Sequence, residues 1–92
     1  MKVWCIPVNF PDPEKEPGQA EAAKAFVSRF LGLIAISPGE NGVVSLAFTE
    51  KEYARIAKWK LEEYSTSGLE IIEGTMTKDK KVLKLHRVLK GG

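Results

Sequence analysis

Val43-Val44-Ser45-Leu46-Ala47-Phe48-Thr49-Glu50-Lys51-Glu52-Tyr53 is the stretch that decides the fold. Its first six residues are branched, apolar or aromatic, which predicts a strand. Thr49 and Glu52 then form a helix-start signature. The hydroxyl can accept from a free N–H of the first turn, while the carboxylate reaches back to the Thr49 N–H. The helix is expected to run to Glu63. At about 100° per residue, Tyr53, Ala54, Ala57, Leu61 and Tyr64 share one face, with Ile56 on its flank and Trp59 outside it. Lys60 falls between Tyr53 and Ile56, so its stem should follow the core edge and its ammonium should reach water. Beyond Ser65-Thr66-Ser67-Gly68, the run Leu69-Glu70-Ile71-Ile72 reads as a strand that continues through Thr77. The unit is strand, helix, strand, and it carries no active site of its own.

Toward the N-terminus, Leu33 to Ile36 is a short strand. Ser37-Pro38-Gly39-Glu40-Asn41-Gly42 holds both a Pro-Gly and an Asn-Gly turn signal, so it should join to Val43 as a hairpin. Between Gln19 and Leu31, the residues Ala23, Phe26, Val27, Phe30 and Leu31 recur at helical spacing, and Gly32 follows where a left-handed cap is expected. Lys2 to Val8 predicts a first strand. The proline-rich segment Asn9 to Gly18 predicts a stiff loop, because each proline fixes its own φ. At the other end, Lys78-Asp79-Lys80-Lys81 reads as a turn. Val82 to Leu89 alternates as a strand paired with Ile71 to Thr77, except that Arg87 falls on the leucine side.

The resulting order is strand, helix, strand, strand, helix, strand and one extra strand. It predicts an α+β fold, a ferredoxin-like βαββαβ two-layer sandwich with an extra C-terminal strand, in which the helices cross between neighbouring parallel strands. Ninety-two residues with 43% apolar content fit a single domain spanning residues 1–92. Two helices can cover only one sheet face. The other should show either Trp4 and Ile6 or Val3 and Cys5, together with Val43, Ser45 and Ala47 if Val44, Leu46 and Phe48 point to the helices. Such a face is too apolar for water, so the C-terminal strand or a second copy of the chain is expected to cover it.

The chemistry visible in the sequence is sparse. One cysteine, Cys5, forbids an internal disulfide, and one histidine, His86, lies far from it in the chain. The pair fits a buried thiol and a half-exposed strand residue better than a nucleophile and its base. No metal-ligand spacing and no phosphate-binding glycine loop occurs, so no metal, no cofactor and no enzymatic activity is expected. No apolar run approaches the roughly 18 residues of a membrane span, and Met1 to Pro7 lacks the features of a secretory signal. A cytoplasmic location is the expectation.

The order of elements resembles that of RNA-recognition motifs. Asn41 to Phe48 is similar to their third-strand octamer at Gly42, Leu46 and Phe48, and Trp4 is similar to their first-strand aromatic. Val43 and Ser45 stand where the family carries base-stacking rings, so what the resemblance implies is shared architecture. Acylphosphatases share the order too, but Asn9 to Gly18 lacks the arginine of their phosphate loop.

Two surfaces remain for partners. Residues 1–77 hold 8 Lys/Arg against 11 Asp/Glu, a balance of −3, whereas residues 78–92 hold 6 against 1, a balance of +5. Lys78, Lys80, Lys81, Lys84, Arg87 and Lys90 would form a basic surface for nucleic acid, or would protect an edge strand from pairing. Trp4, Phe10 and Trp59 are the aromatic candidates for protein contact. The expectation is a small protein-interaction module that binds a protein partner or itself as a homodimer through the open sheet face. A nucleic-acid-binding protein is the alternative.

Overall fold

The computed structural model describes residues 1–64 and 68–89. Its elements are β1 (Lys2–Asn9), α1 (Pro17–Val27), β2 (Leu33–Pro38), β3 (Val43–Phe48), α2 (Lys51–Tyr64), β4 (Ile72–Met76) and β5 (Leu83–Val88). They form an α+β fold with one open five-stranded sheet, ordered β2-β3-β1-β4-β5, and two helices. Every neighbouring pair is antiparallel. The expected crossing between neighbouring parallel strands is therefore corrected. Each helix joins two strands of the same direction, β1 to β2 and β3 to β4, with a third strand inserted between them. Nor does the C-terminal strand lie across the sheet. It extends the sheet edge beside β4.

One face of the sheet carries the main core. Ile6 and Val8 from β1, Leu46 and Phe48 from β3, Val27 from α1, and Ala54, Ala57 and Leu61 from α2 pack together. This places both helices on the same side. Phe30 stacks edge-on against Phe26, with ring centroids 5.2 Å apart, and also meets Phe48. Of the two sets available on β1, Trp4 and Ile6 face the helices while Val3 and Cys5 face away.

Several local expectations are corrected. The first helix starts at Pro17, whose missing N–H costs nothing in the first turn, and it ends at Val27. The chain then tightens, with Arg29 N–H donating to the Phe26 carbonyl and Phe30 N–H to that of Val27. This turn keeps Phe30 buried but leaves Leu31 71% exposed. Gly32 does adopt a left-handed φ of +79°, but in the turn entering β2 rather than as the helix cap. The ring of Tyr53 fills the space where a Cβ at Gly32 would stand. At α2, the Thr49 N–H donates to the Gly32 carbonyl at 3.2 Å, so that donor is taken by main chain rather than by Glu52. Lys60 is exposed, and the partly buried lysines of this helix are Lys51 and Lys58. The side chain of Tyr64 and the segment Ser65-Thr66-Ser67 lie outside the described residues.

The hairpin β2–β3 closes as its turn signals require. Asn41 and Gly42 both have positive φ, and the Gly39 N–H donates to the Val43 carbonyl at 2.8 Å. β4 begins at Ile72 rather than Leu69, and β5 runs from Leu83 to Val88. Between them the register shifts: Glu73 pairs with Arg87 but Gly74 pairs with Leu85, which leaves His86 as the extra residue of a bulge. The bulge accounts for the broken alternation of this strand. Leu83, Leu85 and Val88 stay on one face while Lys84, His86 and Arg87 turn to the other.

Candidate functional surfaces

The helix-free face is built row by row from the strand registers. Cys5 pairs with Ala47 and Ile72, Val3 with Gly74, and Met76 with Leu83. Val3, Cys5, Ala47 and Met76 are fully buried and form a second apolar cluster, against which Ile34, Ala35 and Leu83 pack. Around this floor stand larger side chains that meet water. Leu85 is 45% exposed, Val88 46% and Met1 47%. Leu85 leans over Gly74, one of its methyls lying 3.4 Å from the position a Cβ there would take. Alternation along all five strands puts Asn9, Ser37 and Ser45 on this side as its polar residues, and no charged strand residue.

Charge is instead sorted to the helix side of the β1–β4–β5 ribbon. Glu73 accepts from Arg87 Nε at 2.7 Å and pairs with Lys2 Nζ at 3.2 Å. The Arg87 and Lys2 hydrogen bonds, in that order, hold its carboxyl below the usual carboxylate range. Lys2 Nζ also lies 5.5 Å from the centroid of the Trp4 ring. The Trp4 indole N–H is buried without a hydrogen-bond partner among the described residues. His86 Nε2 lies 2.7 Å from Thr75 Oγ1 on the same side.

These positions separate the two groups that could have formed a nucleophile and a base. Cys5 is buried on the helix-free face and His86 is exposed on the other. Burial pushes the Cys5 thiol up to about 11, a direction that disfavours the reactive thiolate. Among the described residues, no group of three His, Cys, Asp or Glu side chains converges as a metal site. No described helix is long and apolar enough to cross a membrane.

The three aromatic candidates occupy different places. Trp4 is half-buried against the main core. Phe10 is anchored by its N–H to the Gly42 carbonyl at 2.8 Å and lines a cleft of about 770 Å³ between the proline loop, α1 and the β2–β3 hairpin. Trp59 stands 63% exposed on the outer side of α2, with exposed Ile56 one turn before it. Of the basic candidates, Lys78, Lys80 and Lys81 lie in the β4–β5 turn and Lys84 and Arg87 on β5, all exposed, while Lys90 lies outside the described residues. Leu85, Val88 and Met1 were absent from the sequence candidates. The leucine alternation of the last strand was the signal that could have found the first two.

No known family, curated protein or solved structure matches this chain. What it can do rests on the two unlike surfaces of the sheet.

Proposed function

We propose that the chain is a non-enzymatic interaction module whose helix-free sheet face packs against a second copy of itself. We read its strand order as a ferredoxin-like sandwich with one added strand. Without β5 the order is β2-β3-β1-β4, and each helix joins two co-directional strands with one strand between them, the split βαβ pattern.

The observation that carries the proposal is the composition of the helix-free face. Leu85, Val88 and Met1 stand in water around a buried apolar floor, on a side to which the strands contribute no charge. An ionic partner gains nothing from such a face. A second copy offers an equally uncharged one, and two of them can meet without opposing like charges. The low net charge of +2 adds little repulsion. Two faces packed in this way lie about 10 Å apart with strands roughly aligned.

Size sets the strength. Five strands about 4.8 Å apart and about 18 Å long present roughly 430 Å² in projection. Two such faces bury on the order of 900 Å², below the roughly 1,200 Å² of a standard stable interface. The dimer should therefore be reversible, with a dissociation constant in the micromolar range. Sedimentation equilibrium over a dilution series tests this. The expected result is a concentration-dependent monomer–dimer equilibrium that Leu85→Glu shifts to monomer, because it buries a charge at the contact. A strict monomer at high concentration, or a dimer indifferent to Leu85→Glu, overturns the proposal.

A further inference from the structure

The opposite side of the C-terminal hairpin differs in every respect. Lys84, His86 and Arg87 are exposed there, and Lys78, Lys80 and Lys81 are exposed in the turn that leads into β5, so the six form a row along the chain. On the helix side of β4 and β5, Thr75, Lys84, His86 and Arg87 are all exposed.

Within this row the local carboxylates neutralise only Arg87. Glu73 is shared by Lys2 and Arg87. Asp79 accepts from the Thr77 hydroxyl and from the Lys81 main-chain N–H, so it serves the turn. Among the described residues, Lys78, Lys80, Lys81 and Lys84 have no carboxylate within ion-pair distance. Protection of an edge strand explains Lys84, which sits on β5. It does not explain three lysines in the turn, where no free strand edge needs guarding.

We propose that this row binds the sugar–phosphate backbone of a single-stranded nucleic acid, independently of its base sequence. A strand advances about 3.3 Å per residue, so Lys84 to Arg87 spans roughly 10 Å, and the lysines of the turn lengthen the array. A linear array of that length fits a linear polyanion better than an isolated anion. The cations are mostly lysines, point charges suited to phosphate rather than to bidentate reading of base edges. Trp4, on the strand next to β4, is packed against the core and partly covered by the Lys2 ammonium, so it offers no stacking platform. The strand members of the row, Lys84, His86 and Arg87, lie on the side of the sheet away from the proposed self-association face. The two proposals can therefore fail separately.

Fluorescence anisotropy with labelled oligo-dT and oligo-dA tests the inference, with poly-glutamate and phosphatidylserine vesicles as competitors. Binding is expected at about 20 mM salt, equal for the two oligonucleotides. The slope of log K against log salt should be about −3, from about −0.7 for each of four neutralised phosphates. The variant Lys78→Gln/Lys81→Gln/Lys84→Gln changes only exposed side chains. It should keep the parent circular dichroism spectrum, lose at least about tenfold in affinity and flatten the slope by about 2. Lack of binding at low salt, a variant that binds like the parent, or displacement by poly-glutamate or vesicles as effective per charge as by nucleic acid overturns the inference.

Discussion

Gly74→Ala probes the contact that joins β5 to the rest of the sheet and seats Leu85 on the helix-free face. In an ordinary strand position the change would help by about 0.5–1 kcal/mol, because glycine loses more backbone freedom on folding. At Gly74 the added Cβ would stand 2.6 Å from the Lys84 carbonyl oxygen, and 3.4 Å and 3.5 Å from methyls of Leu85 and Leu83. The carbonyl belongs to the main chain of β5, where Thr75 pairs with Lys84 beside the bulge. It cannot swing aside as a side chain would. Relief requires the strand to move, which stretches the ladder. Overpacking of this kind costs about 1–3 kcal/mol and outweighs the gain. The net loss should be about 1–2 kcal/mol, or a fall in Tm of roughly 4–15 °C for a domain of this length. Urea titration and thermal melts measure it. Gly18→Ala is the control, because a Cβ there meets nothing within 4 Å and the position lies in the first turn of α1. It should leave stability unchanged or raise it by up to about 1 kcal/mol. A Gly74→Ala protein as stable as the parent, or a Gly18→Ala protein that loses as much, refutes the reasoning.

Three further outcomes follow from other positions. The folded Cys5 thiol keeps its proton to about pH 11 against 9.0 for the ordinary group. The unfolded chain releases that proton first, so stability should fall between pH 9 and pH 11 by up to about 2–3 kcal/mol, and Cys5→Ala should remove this part of the slope in urea melts. Gly32→Ala combines a left-handed backbone with the Tyr53 ring, whereas Gly68→Ala, at φ +90° with open space around it, meets only the backbone cost. Urea melts should show a loss of about 1–2 kcal/mol for Gly68→Ala and a larger one for Gly32→Ala. Glu73 is held below its usual range by Arg87 and Lys2, so its contribution is present above that range and is lost as pH falls through the lowered value. An acid titration followed by circular dichroism should show a shallower loss in Glu73→Gln than in the parent, and an unchanged profile would contradict the ion-pair geometry.

Much of this arrangement was legible because period and punctuation agree. The α2 stripe of Ala54, Ala57 and Leu61 is buried as its spacing requires, and the Pro38–Gly42 segment closes the hairpin it announces. The rest depended on partners distant in sequence. β1 carries two apolar sets, and only packing against Val27, Phe48 and Ala57 selects Trp4 and Ile6 for the main core on the helix side. The Thr49 N–H goes to Gly32 because β2 and the start of α2 come together in space. Arg87 showed as an interruption in the alternation, but the bulge at His86 that resolves it is a property of the pair β4–β5. The same holds for the helix-free face: that Leu85 and Val88 fall on one side with Met1 follows from the bulge and from register.

The face-to-face contact is tested most directly by isotope-filtered NOE measurements on an equal mixture of labelled and unlabelled protein at dimer-forming concentration. The account predicts intermolecular contacts from the methyls of Leu85, Val88 and Met1 to one another or to Leu83 and Ile34. Intermolecular contacts confined to Trp59 and Ile56 on the outer side of α2, or none at all, would contradict it.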